Sequence, residues 1–275
     1  MATIFDEVLY YSTRLKTVVS FTNSVNEKET RDFFGSGVWI ASPRGGKHIF
    51  FVTNRHLVDY EYGKWRTEGA EGIINIDIEL RKFNERSPLP EAAFFDIVSV
   101  QNKIFYPQDG SDLAIIAISI NLTALKEAGT KGFRPLCLAM DTFIANKSYF
   151  DNDLKAIDAV TFIGFPKGDY DLNYNLPIAR NANIASDPRN YFKNNWIEGD
   201  LVLVSGLSFG GSSGSPVYSL PVGSEGLGFG RVLKPRLIGI ISGHLIDENR
   251  KHKGLSYLVK STKILEVLQE NGLLI

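Results

Sequence analysis

The stretch SGLSFGGSSGSPVYS, residues 205–219, holds six serines, four glycines and one proline. Glycine, serine and proline are the material of ordinary turns, so composition alone makes this a loop. Its internal order says more. In Gly211-Ser212-Ser213-Gly214-Ser215-Pro216, Gly211 can turn its N–H inward without a Cβ clash. Gly214 lets the chain bend sharply after Ser213, and Pro216 fixes the exit. Such a turn presents one serine and aims two backbone N–H groups at one point. Ser213 is therefore the candidate nucleophile, with the N–H groups of Gly211 and Ser213 as a hole for a developing oxyanion. Ser212 and Ser215 then point elsewhere.

A serine hydroxyl is a poor nucleophile at neutral pH unless an adjacent base takes its proton. Histidine is the usual base, and a buried carboxylate fixes its tautomer and stabilises the imidazolium that forms. Two more segments supply these groups. VTNRHLVD places His56 directly after a buried-type strand, and SDLAIIAI places Asp112 just before another. Each is weak alone, since a histidine beside a strand is commonly structural and an aspartate often caps a strand start. The three together, in the order His, Asp, Ser and each against a hydrophobic strand, form a constellation.

The rest of the chain sets the scale. It has 275 residues, 44% hydrophobic and 22% charged, with 30 Lys and Arg against 31 Asp and Glu. This is enough to bury a core, and the balanced charge gives no nucleic-acid footprint. No metal ligand set or cofactor motif is evident. DYDLNYN (169–175) spaces oxygen ligands like a calcium loop but lacks the central Gly and terminal Glu of an EF-hand, so it reads as a solvated loop. Cys137 is the only cysteine, which rules out an intramolecular disulfide, and it reads as a small buried hydrophobe. Asp6 and Glu7 interrupt any signal-like apolar run, and no stretch approaches the ~18 apolar residues of a membrane helix. A cytoplasmic setting without membrane contact is the expectation.

Strands are predicted at 37–41, 48–53, 73–80, 94–100, 113–120, 159–165, 201–206 and 236–243, short and rich in Val, Ile and Phe. Alternating βα units are absent, which argues against a parallel α/β fold. A helix is predicted over 4–15, with Ile4, Phe5, Val8, Leu9, Tyr11 and Leu15 along one stripe. Another is predicted over 261–272, with Ile264, Leu265 and Leu268 on one face. The resulting all-β organisation is an N-terminal helix (1–15), a β half carrying His56 and Asp112 (16–125), and a β half with a C-terminal helix carrying Ser213 (126–275).

With FGSGVWI (34–40), FIGFPKG (162–168) and LIGIISG (237–243) added in order, the sequence resembles the trypsin-like serine proteases of the chymotrypsin fold. The bacterial branch with the glutamyl endopeptidases and high-temperature-requirement proteases is the most similar. The resemblance implies two antiparallel six-stranded β-barrels with the site in the cleft between them. It implies His56 as base, Asp112 as orienting acid and Ser213 as nucleophile, cutting a protein or peptide substrate through an acyl-enzyme without a cofactor. It also implies a specificity pocket near Leu207, Ser208, Ser242, Gly243 and His244.

The pattern departs from the family in three places. Ser212 stands where cleavage-activated members carry an Asp for a new N-terminus, so the hole is expected to form without that cleavage. Leu207 stands where trypsin-type enzymes hold an Asp, which speaks against Arg or Lys before the scissile bond. Ile241 replaces the histidine of glutamyl endopeptidases, although His244 lies close by. An inactive peptide-binding module, or a narrow processing esterase or peptidase with a single target, is the alternative. A regulatory protein partner is left open.

Overall fold

The computed structural model describes residues 4–23, 25–42, 48–63, 69–84, 87–96, 103–119, 122–219 and 235–274. The first half holds β1 (Ser12–Thr22), β2 (Lys28–Ala41), β3 (His48–Thr53), β4 (Ala70–Asn84), β5 (Ser87–Asp96), β6 (Lys103–Phe105), β7 (Ala114–Ser119), β8 (Phe133–Arg134) and β9 (Cys137–Ala139). The second holds β10 (Ala159–Gly164), β11 (Ile178–Ile184), β12 (Phe192–Lys193), β13 (Glu198–Gly199), β14 (Leu201–Ser205), β15 (Pro216–Ser219), β16 (Arg236–Ile246) and β17 (His252–Lys260).

The first sheet runs β5-β4-β1-β2-β3-β7-β6, with β8 added to β4 and β9 to β2. Six strands are expected in this half; part of the surplus comes from the short β8 and β9. Residues 133–139 therefore still pair with the first sheet, and the expected boundary at 125/126 falls inside the helix Thr123–Thr130. The second half closes as a six-stranded barrel in the order β10-β11-β14-β17-β16-β15. The all-β architecture of two halves is thus as expected.

The N-terminal helix is shorter than its stripe suggests. It spans Ile4–Tyr11, and from Ser12 the chain is strand β1. Leu15, Val19 and Phe21 are buried while Arg14, Lys16, Val18 and Ser20 are only half-buried, a period of two that a helix cannot satisfy. β1 pairs with β2 from Ser12↔Val38 to Thr22↔Lys28 and with β4 on its other edge, so tertiary pairing overrides the helical stripe. The C-terminal helix spans Ser261–Glu270 and buries Ile264, Val267 and Leu268, three positions on one face.

One core cluster joins the halves: Val38, Phe50, Val52, Leu113 and Ile115 of the first pack with Ile163, Tyr218 and Ile240 of the second and with the C-terminal helix. Burial on this scale, ~25 cal/mol per Å² of apolar surface, holds the two halves in one register. The ends of β3 and β7 consequently face the turn before β15. No helix among the described residues is long and apolar enough to cross a membrane.

Candidate active site

β3 and β7 pair with Thr53 opposite Ala114, which brings the residues just after one strand beside those just before the other. The Asn54 side-chain amide donates to the Asp112 carbonyl at 2.7 Å and ties the two ends. A 3-10 turn, Arg55–Leu57, then buries His56. His56 Nδ1 lies 2.7 Å from Asp112 Oδ2, and the His56 N–H donates to Oδ1 at 3.0 Å. Ser242 Oγ donates to the same Oδ2 at 2.6 Å. Burial pushes the Asp112 carboxyl up, but the His56 charge and hydrogen bond, the Ser242 hydroxyl and the His56 N–H outweigh it and hold it below the ordinary value. An ionised carboxylate only accepts, so Nδ1 is the donor and the basic lone pair of the neutral ring sits on Nε2.

In the turn before β15, Gly211 and Gly214 adopt φ of 83° and 80°. An added Cβ at Gly214 would run into the Ser36 carbonyl oxygen, so only glycine fits. Gly210 C=O accepts from the Lys167 N–H at 2.5 Å and Ser212 C=O from the Ser215 N–H at 3.0 Å. In a trans peptide the C=O and the following N–H point in opposite directions. Both bonds therefore turn the Gly211 and Ser213 N–H groups away from those partners.

His56, Gly211 and Ser213 line one cavity of about 210 Å³. Ser213 is half-buried there, whereas Ser212 and Ser215 are 2% and 0% exposed. Ser212 Oγ accepts from the Phe209 N–H at 3.2 Å, which keeps it on the inside of the turn.

Around the expected specificity pocket, the Ser242 hydroxyl is committed to Asp112. Leu207 is 51% exposed, and its carbonyl accepts from Arg180. Ser208 is buried, with its Oγ 3.5 Å from His244 Nδ1 and accepting from Ser256 Oγ at 2.9 Å. An added Cβ at Gly243 would strike the Tyr257 ring. One neighbour was not foreseen: His252 stacks on His244 at 4.4 Å between centroids, and its Nε2 accepts from the Ser208 N–H at 3.3 Å. Desolvation, then the nearby His244, lowers the His252 pKa. Ser36 was also missed, although its N–H donates to Ser213 C=O at 2.7 Å. Only FGSGVWI itself signalled it, as a glycine-flanked serine in a strand.

Elsewhere, Asp171 accepts from the Asn173 and Tyr174 N–H groups of its own loop. Burial pushes the Cys137 thiol up to about 12, so it stays protonated. Among the described residues no three His, Cys, Asp or Glu side chains gather as a metal site would require.

No protein-family model and no curated protein sequence matches the chain. Among solved structures it is similar to the MamO protease domain from Magnetospirillum magneticum, in its apo form, at 12% identity and a TM-score of 0.51 over 95% of this chain and 97% of that one. It is also similar to AL20, a thermostable serine protease from an extremophilic microorganism, at 12% identity and a TM-score of 0.50, over 96% and 97%. At such identities the likeness is one of fold, and the fold is that of the trypsin-like serine proteases.

Proposed function

We propose that the chain is a serine endopeptidase acting through His56, Asp112 and Ser213. One observation carries the reading: the hydrogen-bonded His56–Asp112 pair and the Ser213 turn open on the same cavity. Ser213 Oγ attacks the scissile carbonyl carbon while His56 Nε2 takes its proton. The oxyanion is held by the N–H groups of Gly211 and Ser213. As the C–N bond breaks, His56 returns the proton to the leaving amine, and water then repeats the cycle on the acyl-enzyme. Asp112, itself held by Ser242, orients the imidazole and stabilises its charged form. The substrate residue before the cut lies by Ser208, His244 and His252. That group contains no carboxylate, and a buried lysine or arginine would lack a counter-charge there.

The test is a fluorophosphonate probe, which needs an activated serine and no knowledge of the substrate. Label on Ser213, located by mass spectrometry and lost in Ser213→Ala and His56→Ala, is the expected result. Folded protein that takes no label would point to a peptide-binding module instead.

A further inference from the structure

The cavity at Ser213 is not the pocket beside Ser208. None of Leu207, Ser208, Ser242, Gly243 and His244 lines it. Its walls come mainly from the first half: Val19 of β1, Phe33 and Phe34 of β2, Leu57 and Tyr60 just after His56, and Ile73 of β4. The polar members of the wall are already committed. Thr17 Oγ1 donates to the Leu57 carbonyl at 2.7 Å, and the Tyr60 hydroxyl donates to the Ala70 carbonyl at 2.6 Å. The Asp59 carboxylate is held by Arg55 Nε at 2.7 Å. What this wall offers is hydrocarbon. At about 210 Å³ it is below the ~300–1,000 Å³ of drug-sized ligand sites, and suits one large side chain.

The chemistry decides which side chain. His56 is part of this wall, and His56 must hand its proton to the leaving amine. The residue carrying that nitrogen therefore lies over the His56 turn, while the acyl portion lies on the opposite side, by Ser208 and β16. We infer that this cavity is a leaving-group pocket and that the substrate carries a large apolar residue, Leu, Ile, Met or Phe, directly after the cleaved bond. The inference rests on the proposed triad.

Two measurements on one preparation separate the two ideas. Fluorophosphonate labelling reports Ser213 alone, and digestion of a proteome-derived peptide library reports the residues on each side of every cut. Large apolar residues after the cut should be enriched about tenfold or more over Asp, Glu and Lys, the discrimination that a few methylenes provide. Ile73→Glu should raise cuts before Lys or Arg at least as strongly relative to cuts before Leu. Both are ratios within one sample, so a reduced folded fraction does not disturb them. Labelled Ser213 with no preference after the bond overturns the inference and leaves the triad standing. An unchanged ratio in Ile73→Glu overturns the assignment of the wall, and absence of label overturns triad and inference together.

Discussion

Gly211→Ala probes the oxyanion turn where it is tightest. Gly211 has φ of 83°, and an added Cβ would sit 2.5 Å from the Phe165 carbonyl oxygen and 2.9 Å from the Lys167 nitrogen. Both are backbone atoms, so relief must come from rotating the peptide. The left-handed φ costs an L-residue about 1–2 kcal/mol, and the contact adds to it. A loss of about 2 kcal/mol corresponds to roughly 3–4 °C in Tm for a chain of this size. The effect on rate is larger. Once the 210–211 peptide rotates away from Lys167, the Gly211 N–H no longer points at the reacting oxygen, and losing one such donor costs about 10²–10³ in kcat. Gly210→Ala is the control for stability, because its Cβ meets nothing within 4 Å. The assay is kcat on one substrate beside Tm for both variants. A folded Gly211→Ala protein with unchanged kcat would refute the placing of that N–H at the scissile carbonyl.

The neighbouring serines give a sharper contrast: Ser213→Ala should remove several orders of magnitude in rate, while the buried Ser212 and Ser215 tolerate alanine with much activity kept. A Ser212→Ala enzyme as inactive as Ser213→Ala would put the turn out of register by one. Asp112→Asn should fold and lose about 10⁴-fold in kcat through the wrong imidazole tautomer. If the proposed triad acts, the rate of the parent protein should fall in acid, because a protonated histidine cannot serve as base, and a flat profile between about pH 5 and 8 with chemistry rate-limiting counts against it. Asp112 feels the charge of that histidine. Its folded pKa is depressed, so its contribution to stability is complete above the unfolded value of about 3.9 and is lost only as pH falls through the lower folded value, which pH-dependent unfolding measures. Before the cut, an apolar or small polar residue is expected, and dominant cleavage after Arg or Lys sinks that reading. Because the lowered His252 pKa keeps that ring neutral near pH 7, cleavage after Glu should gain on cleavage after Leu as pH falls, and His252→Ala should erase the gain.

The sequence was most legible where a segment's fate is local. HIFFVT reads as β3 to the residue because its apolar run has no competing period, and GGSSGSPV reads as a turn because its glycines force one. β1 was hidden because residues 8–15 fit both a helical stripe and the start of an alternating strand. β11, IARNANI, and β17, HKGLSYLVK, are polar or interrupted by glycine, and they are strands because barrel neighbours pair with them on both edges. The same distinction holds at the site. The order of His56, Asp112 and Ser213 is visible along the chain, but the Ser242 hydroxyl reaches Asp112 across 130 positions. The stacking of His252 on His244 likewise depends on the β16–β17 register, which shifts at this point.

The turn that carries Ser213 is held by hydrogen bonds within itself and from the first half. The Ser212 N–H donates to Phe209 C=O at 2.9 Å while its hydroxyl accepts from the Phe209 N–H at 3.2 Å, so both polar groups are used inside the turn. From the first half, Ser36 donates its N–H to Ser213 C=O at 2.7 Å and its hydroxyl to Gly211 C=O at 3.1 Å, and that hydroxyl accepts from the Phe165 N–H at 3.2 Å. Lys167, itself at a positive φ of 51°, holds Gly210. The segment that follows Lys167 is fastened in turn, with Asn175 Nδ2 donating to Glu79 Oε1 at 3.0 Å and Arg14 bridging Glu79 to the Tyr170 ring. A buried ion pair must recover a desolvation cost of several kcal/mol per ion, whereas the contacts on the turn itself are neutral hydrogen bonds. The one charged pair in the support, Arg14–Glu79, lies farther out. These partners come from both halves of the chain, so the shape of the turn depends on the docking of the two halves.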